Sequence, residues 1–421
     1  MTRALLPLSE DNTPAVDPMI ESGPWRRDYV WVSHYNFEPE LEVVRLKPTE
    51  VVIHDSTLRD GEQAPGVSFA PEDKIRIARL LDEVGVQYIE AGFPPVSEPD
   101  RDAVRAISGL GLKAKITCLC RAIRSDIDMA ANCGVWGIVL EVPVGYPRLR
   151  YQFEWSEKKV HGLAMEAASY AKGEKGLGVV LFLIDTARAR IQFLERLVKD
   201  AVATGCVDRI AIVDTVGGLV PEASAWITRR IRAWVDVPLE MHCHNDLGLG
   251  VANTVSGLMA GAQIASTTVG GLGQRAGNTP TEEVIMALKV AYGIPCALNT
   301  QKLVAVSELV QELSGYKQPA YRPIVGANVF RWAAGIPTAA LLKEPRTVEA
   351  FGPELLGREH CVELGKTAGK ANIIWKIQKM GLEPISQEKM DQLVHKVKER
   401  AAKVKGTIDD VQFVELYRSI S

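Results

Sequence analysis

Short apolar runs alternate with longer amphipathic segments between residues 51 and 292. The apolar runs are rich in β-branched residues and have the length of strands, and the segments between them place apolar residues at helical spacing. The predicted strands are Val51–Asp55, Val86–Ala91, Ala114–Leu119, Gly137–Val142, Gly178–Ile184, Arg209–Val213, Leu239–His244 and Ile264–Val269. The predicted helices include Glu72–Val84, Ser156–Lys172, Phe193–Thr204, Ala223–Val235, Gly248–Ala260 and Pro280–Tyr292. This pattern predicts an α/β fold, a (β/α)8 TIM barrel. A doubly wound sheet is the alternative, but no G-x-G-x-x-G follows the first strand.

The two ends of the chain lack this alternation. Residues 1–49 contain several prolines and then a group of aromatic residues between Trp25 and Phe37. We expect this segment to pack on the barrel or on a partner subunit rather than to act as a lid. Beyond the barrel, Gln301–Leu313 and Ser386–Lys405 have helical spacing. The sequence therefore predicts an N-terminal extension (1–49), a catalytic barrel (50–293) and a mostly helical C-terminal subdomain (294–421).

Composition narrows the class of ligand. The 421 residues carry a formal net charge of −3, which gives no electrostatic basis for binding nucleic acid or an anionic membrane. No apolar run is long enough for a transmembrane helix, and the first residues do not resemble a secretory signal. Seven cysteines occur without a C-x-x-C pair, as is typical of reduced thiols. We therefore expect a cytoplasmic protein that acts on small molecules.

Polar side chains cluster where the first, seventh and eighth predicted strands end. His242 and His244 are two residues apart, so both side chains point to the same face of their strand. Asp60 follows the first strand, and Asn278 follows the eighth. Because these strands are neighbours in a closed barrel, the four side chains converge. A mixed nitrogen and oxygen set with one negative charge suits Zn, Mn, Co or Mg and leaves positions open for a substrate.

Several segments around these residues resemble the DRE-TIM metallolyase superfamily. They are D-x-T-L-R-D-G-E-Q (55–63), I-E-A-G-F-P (89–94), D-T-V-G (214–217), H-C-H-N-D-L-G (242–248) and G-L-G-x-R-A-G-N (271–278). The chain is most similar to the isopropylmalate, homocitrate and citramalate synthases, and the superfamily also contains 3-hydroxy-3-methylglutaryl-CoA lyase. A weaker likeness to the synthase subdomain continues through 323–326 and 365–370.

The resemblance implies roles for the clustered residues. Asp60, His242 and His244 would bind a divalent metal, with Asn278 as a further ligand or close partner. Arg59 would stabilise an enolate-like oxygen, for which a permanently charged guanidinium is suited.

The resemblance also implies substrate contacts and assembly. Thr215 would bind a substrate carboxylate, and Gln63 and Glu90 would line or brace the site. For Glu90, a structural ion pair with an arginine is an equally good interpretation. An acyl-CoA and a 2-oxo acid would be the substrates, and the chain would form a homodimer.

The proton-transfer residues of the synthases are not retained. Ile184 stands where their F-S-x-E-D-x-x-R segment has a glutamate, although a gap in the alignment would place Asp185 there. The sites of two subdomain histidines are occupied by Trp332 and Pro337, and Val348 replaces a tyrosine. A histidine expected near Tyr151 is replaced by Arg148.

The sequence does not assign the catalytic base to a single residue. Asp185 and Glu90 are the candidates for that base, and Arg148 and Arg188 indicate an anionic substrate or a bound carboxylate. The lyase pattern is absent as well, because the segment that holds its catalytic cysteine reads Gly270–Ala276 here.

Three functions follow from this combination. The first is a metal-dependent Claisen condensation of an acyl-CoA with a 2-oxo acid. The second is an aldol or retro-aldol lyase or a decarboxylase, which makes smaller demands on a base. The third is a homologue without catalytic activity that only binds metal and ligand, although Arg59 argues against it. The glycines of 270–277 either let the backbone approach the metal site or cradle a phosphate of coenzyme A.

Overall fold

Eight parallel strands close into a barrel whose strand order follows the chain. In the computed structural model, which describes residues 22–42 and 45–420, the first strand pairs with both the second and the eighth. The strands are β1 (Val52–Asp55), β2 (Tyr88–Glu90), β3 (Lys115–Arg121), β4 (Gly137–Pro143), β5 (Gly178–Ile184), β6 (Arg209–Asp214), β7 (Leu239–Cys243) and β8 (Ile264–Thr267). The predicted TIM barrel is confirmed.

A helix follows each strand and covers the outside of the barrel. The helices are α1 (Pro71–Val84), α2 (Glu98–Ser108), α3 (Arg124–Asn132), α4 (Glu157–Ser169), α5 (Ile191–Ala203), α6 (Pro221–Arg232), α7 (Gly250–Leu258) and α8 (Thr281–Met286). Local sequence sets several of their starts. Ser97 and Ser156 accept hydrogen bonds from backbone N–H groups of α2 and α4, and proline occupies the first turn of α1 and α6. Such residues satisfy or avoid the unpaired N–H groups of a first turn.

The interior of the barrel has an apolar half and a polar half. On the apolar half, side chains from β3 to β6 pack together, among them Val139, Phe182 and Ile184. On the polar half, the buried His54 Nδ1 lies 2.9 Å from Glu240 Oε1, and Arg209 lies 3.3 Å from the same carboxylate. Opposite charges compensate one another there, which a buried ionic network requires. The metal-ligand candidates lie above this polar half, at the carboxyl ends of the strands.

The C-terminal region is mostly helical, and its residues from Leu364 onward have a core of their own. Its helices are α9 (Leu303–Ser314), α10 (Gly335–Lys343), α11 (Lys370–Lys379), α12 (Gln387–Val404) and α13 (Asp410–Arg418). The predicted apolar face of α12 is buried at Leu393 and Val397, where it packs with Phe413 of α13. None of the described helices is long and apolar enough to span a membrane.

The described part of the N-terminal extension lies against both the barrel and the C-terminal region. The Arg27 Nη2 atom donates to Val290 O at 2.8 Å, and the Trp31 N–H donates to Ala350 O at 2.7 Å. Residues 1–21 and 43–44 of the predicted extension lie outside the described residues. The three domain boundaries therefore stay predictions.

Candidate active site

Asp60, His242 and His244 form a buried cluster with the spacing of metal ligands. Asp60 Oδ2 lies 3.1 Å from His242 Nε2 and 3.8 Å from His244 Nε2. The three ligand atoms all lie within 4.8 Å of one another. Residues of β7 and of the loop after β1 thus converge, as the sequence predicts, because β8 alone separates these two strands.

Neighbouring groups fix the orientation of both imidazoles. His242 Nδ1 lies 2.9 Å from Ser266 Oγ on β8, and His244 Nδ1 lies 3.2 Å from Gly277 O. Each Nε2 atom is thereby left to face Asp60. Hydrogen bonds of this kind set the tautomer and the ring orientation of metal-binding histidines.

The protonation states suit a cation. Burial lowers the pKa of His244 to about 4, so its imidazole is neutral at physiological pH and has a free lone pair. Although burial opposes ionisation of Asp60, Arg59 and the two histidines hold its pKa well below the ordinary value. Imidazole nitrogens and a carboxylate oxygen are a common set of ligands for divalent metals.

Asn278 supplies a further oxygen beside the cluster. Its backbone pairs with that of His244, its Nδ2 donates to Leu272 O at 3.2 Å, and its buried Oδ1 has no hydrogen-bond partner among the described residues. A buried polar atom left in this way calls for a ligand. The cluster and Asn278 therefore fit the predicted divalent metal.

The glycine loop after β8 brings the backbone close to this site. Gly277 has a φ of +83°, and a Cβ there would lie 2.0 Å from Gly271 O. A Cβ on Gly273 would lie 2.3 Å from Asn278 Nδ2. The tight packing supports the interpretation that these glycines allow close approach to the metal site rather than cradle a phosphate.

Arg59 lies beside the cluster and is held by Glu90. Its Nε atom lies 2.8 Å from Glu90 Oε1, and its Nη1 lies 3.4 Å from Asp60 Oδ2. Ser56 donates to the other Glu90 oxygen. The Nη2 atom is buried and has no hydrogen-bond partner among the described residues. Glu90 thus braces Arg59, as its structural interpretation predicts, and leaves one donor of the guanidinium unused.

Asp185 and Thr215 meet at the ends of β5 and β6. Thr215 Oγ1 accepts a hydrogen bond of 2.8 Å from the Asp185 N–H, so its own hydroxyl proton is available to a ligand. Both Asp185 oxygens accept hydrogen bonds of 2.8 Å from Arg188. No hydrogen bond or ion pair among the described residues joins Asp185 or Arg188 to the three metal-ligand candidates.

The remaining predicted residues lie at the rim. Gln63 accepts a hydrogen bond from Gln274 and so links the loops after β1 and β8. Arg148 begins a π-helical turn, Arg148–Phe153, and donates to Gln152 at 3.0 Å. Both residues are at the carboxyl end of the barrel, but the structure does not place them against the metal cluster.

Sequence reasoning missed three residues of the site. Ser266 orients His242, and Arg275 bonds both Asp246 and Thr215 O, which ties together the loops after β6, β7 and β8. Glu141 points into the barrel from β4. Its signal is the alternation with Val139, which places both side chains on one face of the strand.

Comparisons with known proteins support the same interpretation. The HMGL-like family model matches residues 50–310, and a model described as homocitrate synthase post-HMGL domain-like matches residues 324–405. Homocitrate synthase AksA of Methanopyrus kandleri is 43% identical over 373 residues, which are 89% of this chain and 93% of that protein. The (R)-citramalate synthase CimA of Methanocaldococcus jannaschii is 40% identical over 349 residues, 83% of this chain and 70% of that protein.

A solved structure shares the fold. The hydroxymethylglutaryl-CoA lyase from Pseudomonas aeruginosa aligns with a TM-score of 0.58 at 18% identity, covering 64% of this chain and 95% of that chain. The predicted superfamily, synthase branch and acyltransferase class are confirmed by the relatives, and the lyase interpretation has weaker support. The chain belongs to the HMGL-like family, in the branch of the homocitrate, isopropylmalate and citramalate synthases.

Proposed function

We propose that this chain joins an acyl-CoA to a 2-oxo acid in a metal-dependent Claisen condensation. The observation that carries the proposal is the position of Arg59 beside the Asp60–His242–His244 cluster. A buried guanidinium with an unused donor has little purpose in a site that only binds metal. It is the group that a developing enolate or alkoxide oxygen requires.

Asp60, His242 and His244 would hold the metal, and Asn278 Oδ1 would serve as a further ligand or close partner. The bound cation would supply Lewis acidity for the carbonyl group of the 2-oxo acid. The mixed nitrogen and oxygen donors suit Mn, Mg, Zn or Co.

The residues of the chain would position the substrates around that centre. Thr215 has a hydroxyl proton free to bond the carboxylate of the 2-oxo acid. Although burial opposes its charge, Glu90 and Asp60 hold the pKa of Arg59 above its ordinary value, so the guanidinium stays charged during the reaction. Gln63 and Gln274 would close one side of the rim.

A lyase or decarboxylase on the same platform is the second candidate. Ile184 is buried among apolar side chains where the synthases have a glutamate, and cleavage would tolerate that loss better than condensation would. The relatives favour condensation.

Coenzyme A release tests the proposal. The metal-supplemented protein would be incubated with acetyl-CoA or another acyl-CoA and a panel of 2-oxo acids. We expect thiol release that requires both substrates and falls about 100-fold or more in Arg59→Lys, because a shorter point charge does not reproduce the guanidinium.

Arg105→Lys, an exposed substitution on α2, is the control and should change little. Thiol release that is equal in Arg59→Lys and wild type would contradict the role of Arg59. A carbonyl fragment released from a 2-hydroxy acid, without condensation, would support the lyase.

We also propose, from the family resemblance, that the chain assembles as a homodimer. A cytoplasmic location is proposed from its composition and its reduced cysteines. Sedimentation analysis of the purified protein would test the dimer.

A further inference from the structure

The condensation needs a group that removes a proton from the acyl-CoA, and the position expected for it is apolar. Ile184 packs with Phe182 and Val213 inside the barrel and carries no proton acceptor. The adjacent Asp185 is fully buried, and both of its oxygens are bonded to Arg188. Its backbone is in the left-handed region, with a φ of +64°. Both oxygens of Asp185 are therefore engaged by Arg188.

A different carboxylate points into the barrel one strand away. Glu141 lies on β4, opposite Phe182 of β5 on one side and opposite Arg121 of β3 on the other. Its side chain is on the interior face, because strand residues alternate and Val139 is part of the interior apolar cluster. Glu141 is thus a carboxylate at the top of an otherwise apolar wall.

One side chain connects Glu141 to the metal-ligand cluster. The Phe182 ring, whose residue is paired with Glu141, lies 5.0 Å from the His242 imidazole, centroid to centroid. The Arg59 guanidinium lies 5.7 Å from the centroid of the same ring. Glu141 therefore faces the space in which a substrate bound to Arg59 and the metal would react.

The Glu141 carboxylate is not used by the fold. Among the described residues it makes no hydrogen bond and no ion pair, and it is partly exposed. It borders a mainly apolar cavity of about 310 Å³, which is also lined by Arg121, Ile123, Phe153, Trp155 and Ile184. An apolar cavity suits the uncharged acyl thioester better than it suits the carboxylate of a 2-oxo acid.

The charges that face Glu141 give it the character of a base. Burial raises its pKa, while Arg59, Arg148 and Arg121 favour its ionised form and Glu90 opposes it. A carboxylate with a raised pKa is a stronger base than an exposed one.

We propose that Glu141 is the general base of this enzyme and takes the place of the glutamate that Ile184 lacks. The inference rests on the proposed condensation and names the residue that starts it. The Glu141 carboxylate takes a proton from the carbon next to the thioester carbonyl, which leaves an enolate whose oxygen faces Arg59.

The remaining steps balance without a further co-reactant. The enolate carbon forms a bond to the keto carbon of the 2-oxo acid, and the keto oxygen becomes an alkoxide that takes up a proton from solvent. Water then attacks the thioester carbonyl, the carbon–sulfur bond breaks, and coenzyme A leaves as the thiol. Glu141 returns its proton to solvent.

The test uses Glu141→Gln, which keeps the size of the side chain and removes its basicity. We expect thiol release to fall about 100-fold or more, with KM for the 2-oxo acid changed by less than about threefold. A second readout is the exchange of acyl hydrogens in D2O, followed by mass spectrometry of acetyl-CoA in the presence of a 2-oxo acid analogue that cannot condense. Wild type should incorporate deuterium, and Glu141→Gln should not.

Two further variants separate a base from a structural charge. Glu154→Gln makes the same chemical change at an exposed position of the following loop and should behave as wild type. Glu141→Asp keeps a carboxylate and should retain part of the exchange and the acidic limb of the pH profile, which Glu141→Gln should lose. Thermal unfolding checks that each variant folds. If Glu141→Gln does not fold, the exchange and the pH profile of Glu141→Asp decide whether Glu141 is the base.

The outcomes distinguish the two proposals. Thiol release and exchange by wild type, with both retained in Glu141→Gln, would overturn the role of Glu141 and leave the condensation in place. A folded, metal-loaded wild type that neither condenses nor exchanges would overturn the proposed function and the role of Glu141 with it.

Discussion

At the scale of single residues, the site depends on side chains that are each held by a neighbour. Arg59 is held by Glu90, His242 by Ser266 and His244 by Gly277 O. The ligands and the guanidinium therefore face one another before any substrate binds. Such preorganisation lowers the cost of reaching the geometry of the transition state.

Glu282 on α8 supports the loop after β8, and its ionisation should affect the stability of the protein. It is fully buried, and it accepts a hydrogen bond of 3.0 Å from the Gly270 N–H. Burial raises its pKa from 4.5 to about 7. The folded state therefore favours the protonated acid. The stabilisation of the fold by protonated Glu282 is complete below pH 4.5 and is lost as the pH rises through about 7.

Glu282→Gln removes this titration and keeps an acceptor for Gly270. When the pH rises from 5 to 8, we expect wild type to lose on the order of 3 kcal/mol of unfolding free energy relative to the variant. Urea unfolding of both proteins at the two pH values measures the difference. An equal effect of the substitution at pH 5 and pH 8 would contradict a raised pKa.

At the scale of elements, periodicity predicted the barrel because buried parallel strands and amphipathic helices have distinct spacings. All eight strands lie at the predicted places, and β5 spans the same residues, Gly178–Ile184. The helix patterns did not predict where regular geometry fails. The chain continues α4 and α8 into π-helical turns, at Tyr170–Glu174 and Ala287–Ala291.

The convergence of the metal-ligand candidates was predictable and the proposed base was not, for a physical reason. Asp60 follows β1, and His242 and His244 lie at the end of β7, so the closed barrel, in which β8 alone separates these strands, brings them together. Whether Asp185 is free depends on its left-handed backbone and on Arg188, which no spacing reveals. The role that we propose for Glu141 depends on the folded register, which pairs Glu141 with Phe182 and places the Phe182 ring beside His242.

The glycine loop after β8 gives a prediction at this scale. Gly277→Ala places a Cβ against Gly271 O and moves the carbonyl that orients His244. We expect metal affinity to fall about 10-fold or more, measured by calorimetric titration with Mn or Zn.

Gly205→Ala is the matched control for that substitution. Gly205 also has a positive φ, +70°, but a Cβ there meets nothing within 4 Å. The control should lose some stability through backbone strain and keep its metal affinity. A loss of affinity in both variants would show that the close approach to Gly271 is not the cause.

At the scale of the whole molecule, the barrel shares one hydrophobic cluster with the first part of the C-terminal region, and the residues from Leu364 onward form a second cluster. The N-terminal extension contacts both, through Val290 in the barrel part and Ala350 in the C-terminal part. The metal-ligand candidates and Arg59 all lie on barrel strands or on the loops that follow them. The C-terminal region contains residues 324–405, which match the homocitrate synthase post-HMGL domain-like model.

Analysis of the reaction product tests most directly whether this protein forms a carbon–carbon bond. The purified, metal-loaded protein would be given acetyl-CoA labelled with carbon-13 in the acyl group and a 2-oxo acid, with chelator-treated protein as the control. We expect free coenzyme A and a 2-hydroxy dicarboxylic acid that contains both labelled carbons and the intact skeleton of the 2-oxo acid, and neither product without metal. Labelled acetate with an unchanged 2-oxo acid, or a product that forms equally in the chelator-treated protein, would contradict this expectation.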